Sequence, residues 1–289
     1  MNLQKIKLSD IDSFKNHPFR VVNDDSIKEL SNSIKENGLI DPIIVRKKDD
    51  NRYELISGHR RKLALELNGE TEVEANIKDL DDDEATILMV DSNLHREKVL
   101  PSEKAFAYKM KLDALNHRGK SLSPKGTKLH SVEEFEDSKS QIYRYVRLTY
   151  LIPELLQLVD DTILKDKRSV LTMGLKPAVE LSYLTKEEQK TVYMGITYED
   201  LTPSHGQAIK IRQLAKDKEL SFDTLEEILL EEKGNQREQI SFNKDKIEKA
   251  LPSELLKRDK RYIEQYIIKA IENYKSIELE RGDAYDLDM

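Results

Sequence analysis

Over the first ninety residues the apolar positions switch between strict alternation and a spacing of three or four, and beyond them the alternation nearly vanishes. Residues 5–8 read as a strand, followed by the irregular stretch Asn16-His17-Pro18-Phe19-Arg20. Ser26 and Glu29 have capping-box spacing, Ile27, Leu30 and Ile34 share one face of the helix they would open, and Asn37-Gly38 ends it. Residues 42–46 form a second strand, and a polar turn at 49–52 leads into a third at 53–56. A basic helix follows from Gly58 and stops at Asn68-Gly69. From there the pattern is helical. A helix is expected over 82–93, then one opened by Pro101 with Ala105, Tyr108, Leu112 and Leu115 in a single stripe. Residues 116–131 look like a basic loop, and helices are predicted near 139–151, 153–161, 176–183, 186–194, 204–216 and 223–232. Residues 233–237 read as a linker into a tail whose apolar faces come from Leu251, Leu255, Ile263, Tyr266, Ile267, Ala270, Ile271 and Tyr274. The pattern predicts an α+β domain over 1–98, an all-α domain over 99–232 and a helical C-terminal region over 238–289, the last a candidate for dimerisation.

Composition narrows the chemistry. The chain of 289 residues has no cysteine, which removes disulfides, thiol catalysis and Cys-based zinc sites. Its six histidines show no HxH or HxxxH pair, so a histidine metal centre is not expected. No apolar run reaches the ~18 residues of a membrane span, and Met1-Asn2-Leu3-Gln4-Lys5 opens without a signal-peptide core. A cytoplasmic chain with no membrane partner is expected. The net charge of −7 hides an uneven distribution. Residues 93–130 carry nine Lys/Arg against three Asp/Glu, whereas 221–289 carry twelve against seventeen. A basic middle beside an acidic end fits a protein that meets a polyanion with one region only.

Three segments carry candidate chemistry. In the first, a short buried strand turns at Gly58 into a helix led by His59, Arg60 and Arg61. Unpaired N–H groups, the positive end of the helix dipole and guanidinium forks together cradle phosphate. In the second, Asn93 and Arg96 stand three apart on a helix and can address one anion. The third is Ser138-Lys139-Ser140-Gln141-Ile142-Tyr143-Arg144-Tyr145-Val146-Arg147-Leu148. There Ile142, Val146 and Thr149 face inward, leaving Ser138, Lys139, Ser140, Gln141, Tyr143, Arg144 and Arg147 for base edges and phosphates.

In this order, the Asn-x-Pro-x-Arg stretch with Gly38-Leu39-Ile40-Asp41-Pro42-Ile43, the Gly58-His59-Arg60-Arg61 box, the Asn93…Arg96 box and the Ser138–Leu148 segment resemble the ParB/Spo0J partition-protein family. The likeness spans about residues 3–215. Ile142–Leu148 and Pro177-Ala178-Val179-Glu180-Leu181 look most similar to variants carried by plasmids and conjugative elements. The resemblance implies a ParB/sulfiredoxin-like N-terminal nucleotide-binding domain, a helix-turn-helix DNA-binding domain and a small helical tail. It implies CTP with Mg²⁺ as cofactor, held by Arg20, Gly58, His59, Arg60, Arg61, Asn93 and Arg96, with Asn93 as a Mg²⁺ ligand. It implies a homodimer that binds a palindromic site on double-stranded DNA, closes as a clamp on CTP and works with a ParA-like ATPase.

Three positions depart from the family pattern. His59 and Ser92 stand where the family usually has Glu, and Glu136 stands where the turn before the recognition helix usually has Gly. A neutral Ser cannot replace a carboxylate as hard-cation ligand or water activator, so the box is better equipped to hold a triphosphate than to cleave it. Two other readings follow from the same residues. One is a site-specific DNA-binding regulator with a vestigial pocket. The other is a small phosphotransferase on the sulfiredoxin-like fold, for which Glu54, Glu66 and Asp91 are the nearby candidate bases.

Overall fold

The computed structural model describes residues 3–48, 50–96, 98–122, 137–164, 171–231, 251–252, 255 and 260–281. The chain divides into two compact units, Met1–Gly234 and Asn235–Met289.

The first unit begins with β1 (Leu3–Lys7), a 3₁₀ turn at Leu8–Asp10 and β2 (Ile11–Ser13). Next come α1 (Asp25–Asn37), β3 (Ile43–Lys47), β4 (Tyr53–Ser57), α2 (His59–Leu67) and β5 (Glu72–Lys78). Among the described residues the strands form one sheet in the order β1-β5-β3-β4-β2. β1 runs antiparallel to β5 and β3 antiparallel to β4, while β3–β5 and β2–β4 are parallel. Leu55 and Ile56 show how the sheet is buried on both sides. Successive strand residues point to opposite faces, and Leu55 joins the cluster of Ile6, Ile34, Ile43 and Val45 while Ile56 joins Phe14, Phe19, Met89 and Val90.

The helical part consists of α3 (Asp82–Leu94), α4 (Pro101–Leu122), α5 (Lys139–Leu148), α6 (Pro153–Leu164), α7 (Leu175–Leu181), α8 (Lys186–Glu199), α9 (His205–Asp217) and α10 (Phe222–Leu230). Capping boxes open α3 at Asp81/Glu84, α8 at Thr185/Glu188 and α9 at Ser204/Gln207. Leu155, Met173, Leu181, Ile196, Ile211 and Leu225 lie at the centre of its core. In the second unit, α11 (Lys260–Arg281) carries Ile263, Tyr266, Ile267 and Ile271.

Several expectations need correction. The capping box at Ser26/Glu29 is not formed. Asp24 is the N-cap, accepting from the Ile27 N–H, and Ser26 Oγ donates to Asp24 Oδ1. In the run Asp24-Asp25-Ser26 the carboxylate nearest the chain entry takes the cap. Residues 116–122, expected as loop, continue α4. His117 pairs with Asp83 and Arg118 with Glu84, fastening this last stretch to the first turn of α3. Strands β2 and β5 were not expected at all. The expected linker at 233–237, the rest of the expected loop at 123–131 and Glu136 lie outside the described residues.

Candidate functional site

The sequence Ile56-Ser57-Gly58-His59 makes a sharp strand-to-helix turn. Gly58 has φ 105° and is the N-cap of α2 with no side-chain cap. A Cβ there would lie 2.7 Å from Ile43 Cγ2 and 3.3 Å from Arg61 Nε. Both the backbone conformation and the close approach of β3 therefore demand glycine. The first N–H groups of α2 have no acceptor within the helix, and no side chain caps them at Gly58.

Around the turn the structure gathers His17, Phe19, His59, Arg60 and Arg96. The His59 ring is buried and lies against that of His17, centroids 3.8 Å apart and planes tilted by 37°. His17 Nδ1 lies 2.8 Å from the Phe19 carbonyl, and the Arg96 guanidinium sits 5.6 Å above the Phe19 ring. Arg60 donates to Ser26 Oγ at 2.7 Å. Burial lowers the pKa of Arg96, and the Arg60 charge beside it adds to the effect. Both arginines are half-buried, and an anion near them would be favoured.

The other members of the expected set are placed differently. Arg61 donates to the carbonyls of Asp41 (2.6 Å) and Pro42 (3.0 Å), so its guanidinium ties the entry to β3. Asn93 is buried, and its Nδ2 donates to the Met89 carbonyl at 2.8 Å and to Ser92 Oγ at 3.2 Å. The Arg20 N–H donates to Glu103 Oε1 (2.7 Å), and its guanidinium reaches 3.7 Å from Asp160, a buried carboxylate of α6 that also accepts from Ser102 N and Oγ. Glu103 also accepts from the Leu100 N–H, so Arg20 rests directly on the start of α4.

For a bound nucleotide the fit is good at the phosphates: a glycine cradle, a free helix N-terminus, Arg60 and Arg96. For Mg²⁺ it is poor. Ser92-Asn93 offers no carboxylate for a hard cation. The candidate phosphotransferase bases are also committed. Glu54 pairs with Arg46 at 2.6 Å, Asp91 with Lys111 at 2.7 Å, and Glu66 with Lys62.

Burial holds the His59 pKa down at about 3, helped by the neighbouring His17, Arg96 and Lys62, and lowers that of His17 as well. In the unfolded chain a histidine binds its proton near pH 6.5. Between about pH 3 and 6.5 the unfolded state therefore holds more protons at His59, and stability must rise with pH. The expected result is a fall in stability on acidification below pH 6.5, by up to about 1.4 kcal/mol per pH unit for one such group. Urea unfolding of wild type and His59→Gln across this range checks it, the variant showing the shallower slope.

The second candidate surface is α5. Ser138 is its N-cap, accepting from the Gln141 N–H, and Ile142 and Leu148 are buried. Ile142 packs on Tyr108 and Leu112 of α4, while Tyr108 donates to Asp137 in the turn before α5. Ser138, Lys139, Ser140, Tyr143 and Arg144 are exposed and Gln141 is half-buried. Arg147 is turned inward. Its Nη2 donates to the Ser182 carbonyl at 2.6 Å, and its guanidinium lies 3.9 Å from the Tyr183 ring centroid and 4.5 Å from that of Tyr150. Sequence reasoning missed His17, Phe19, Ser26, Glu103 and Asp160. Of these only His17 and Phe19, lying inside the Asn-x-Pro-x-Arg stretch, carried any signal.

Comparison with known proteins places the chain. A profile of the ParB N-terminal domain matches residues 1–94. The nucleoid occlusion protein of Bacillus thuringiensis (strain Al Hakam) is 30% identical over 223 residues, covering 77% of this chain and 73% of the relative. Among solved structures, the C-terminally truncated chromosome-partitioning protein ParB from Caulobacter crescentus complexed to the centromeric parS site covers 74% of this chain and 99% of its own at 18% identity and TM-score 0.42. The same protein complexed with CTP-gamma-S covers 68% and 99% at 20% identity and TM-score 0.31. No helix among the described residues is long and apolar enough to cross a membrane. The assignment rests on the sequence matches: the chain belongs to the ParB family of partition and nucleoid occlusion proteins.

Proposed function

We propose that this chain is a site-specific DNA-binding partition protein that acts as a homodimer and changes its hold on DNA when a nucleoside triphosphate, CTP by family resemblance, settles at the start of α2. Residues 1–98 carry the nucleotide site, 99–232 the DNA-binding helices, and 238–289 a dimerisation region. Lys139, Ser140, Gln141, Tyr143 and Arg144 read the major groove. Two-fold symmetry of the dimer demands an inverted repeat in the DNA. A ParA-like ATPase is the expected partner.

The observation that carries this reading is the position of α4. Its first turn holds Arg20 through Glu103, and farther along Tyr108 and Leu112 support Ile142 of α5. Through Arg20, the residue that follows Phe19 of the anion pocket, α4 thus links that pocket to the helix proposed to read DNA. A ligand that drew Arg20 from Asp160 would shift load onto α4 and thereby onto α5. Clamp closure of the DNA-loaded dimer is the family's use of such coupling.

The inward turn of Arg61 and Asn93 favours a second reading, in which the pocket no longer binds nucleotide and the protein is a plain site-specific regulator. Calorimetric titration with CTP and ATP separates the two. Saturable binding of CTP, weakened at least tenfold in Arg60→Ala, is the expected result. Absence of binding to either nucleotide by wild type establishes the second reading instead.

A further inference from the structure

The His17–His59 pair belongs to neither of the arginine contacts described above. His17 Nδ1 must carry its proton, because the Phe19 carbonyl 2.8 Å away can only accept. Its Nε2 is then a bare lone pair. That atom and both ring nitrogens of His59 are buried without a hydrogen-bond partner among the described residues. Two lone pairs and one N–H donor are thus left over in a single buried spot. Orphaned polar atoms in a packed interior are rare and call for a ligand or a functional reason. The place is informative: His59 is the first residue of α2, beside the free helix N-terminus and the Gly58 turn.

We propose that the two imidazoles form a phosphate-contacting subsite that takes up a proton when the polyanion binds, the proton lodging on His59. This inference rests on the nucleotide reading above. In the free protein the charges acting on the pair are cationic. Arg96 lies in the turn past the end of α3, and so not on one helix face with Asn93 as expected. It acts on both rings and Lys62 of α2 on His59, while Arg60 of α2 and Glu103 of α4 act at one remove through Arg96. Burial in this surrounding favours the neutral form of both rings. A triphosphate reverses the local sign, so the lone pair of His59 takes a proton from bulk buffer. The resulting N–H donates to a phosphate oxygen as a charge-assisted bond. His17, fixed by Phe19, remains the neutral wall against which the imidazolium lies. A histidine in place of Glu thus substitutes an inducible cation for a fixed anion: it strengthens binding and supplies no base for hydrolysis.

Calorimetry of the full chain with CTP and with inorganic tripolyphosphate, repeated in buffers of different ionisation enthalpy between pH 6 and 7.5, measures proton uptake. Wild type is expected to take up as much as one proton more per ligand than His59→Gln. Its affinity should gain up to tenfold per unit fall in pH relative to that variant. The terminal phosphate's own titration is common to both proteins and cancels. Equal uptake by the two proteins, with binding retained, overturns the inference and leaves the nucleotide reading intact. Failure of wild type to bind either ligand overturns both. A measurement that needs no variant is ¹⁵N NMR of the histidine rings. It should show His59 neutral in the free protein at pH 6 and protonated once tripolyphosphate is added, and a ring that stays neutral in the complex contradicts the proposal.

Discussion

Replacing Gly58 by alanine is expected to abolish anion binding at the start of α2 and to lower the melting temperature of the chain. Two costs combine. A φ of 105° is hostile to any L side chain, and the new methyl would lie 2.7 Å from Cγ2 of the fully buried Ile43. Strain of this kind costs about 1–3 kcal/mol and an overpacked contact about as much again. Either Ile43 moves, opening the β3–β4 face of the sheet, or the turn flattens and carries the N–H groups of α2 away from the phosphate position. At about 2–4 °C per kcal/mol for a chain of this size, a fall of roughly 4–24 °C is expected in thermal unfolding. Arg60→Ala, by contrast, should weaken binding at least tenfold with little change in melting temperature, since among the described residues its side chain makes one exposed hydrogen bond, to Ser26. A Gly58→Ala protein that melts and binds like wild type would show that the turn is not the pivot of the site.

The second large effect separates two arginines of one helix. Arg144 is exposed, whereas Arg147 is bound to Ser182 and stacked between Tyr150 and Tyr183. Arg144→Ala is expected to weaken binding to the preferred duplex by about ten- to a hundredfold, the loss of one base contact of about 1–3 kcal/mol, at unchanged melting temperature. Arg147→Ala should do the reverse, loosening α5 from α7 and lowering stability while leaving sequence preference intact. Fluorescence anisotropy on wild-type and mismatched duplexes, paired with thermal melts, reads both. Exchange of the two outcomes would place the DNA-facing side of α5 elsewhere.

Long helices and contiguous boxes are legible in this chain because their signals are local. Pro101 at a first turn and the Ala105-Tyr108-Leu112 stripe each need only a few neighbours, and the starts of the helices near 101, 186 and 205 were found, although the first runs on to Leu122 and the second to Glu199. β5 was missed although Val73, Ala75 and Ile77 alternate with Glu72, Glu74 and Asn76, because the polar half of the strand masks the period in a stretch so rich in charge. β2 was missed because three residues carry no period, and its pairing with β4 supplies what the sequence does not display. In the candidate site the strand-glycine-helix turn can be read directly, since Gly58 sits between a strand signal and a basic helix. The partners that decide which cation is available cannot. Arg61 turns to carbonyls of residues 41 and 42, Arg147 to residue 182, and His59 to a ring at residue 17.

The central claim is that α5 reads a two-fold symmetric DNA site. Selection from a random duplex library by the full-length wild-type protein, followed by titration at several salt concentrations, tests it most directly. The expected result is enrichment of an inverted repeat whose affinity falls steeply as salt rises, with the preference relaxed at one position per half-site in Arg144→Ala. A pool that emerges without a shared sequence, or no retention of duplex at all, would contradict it.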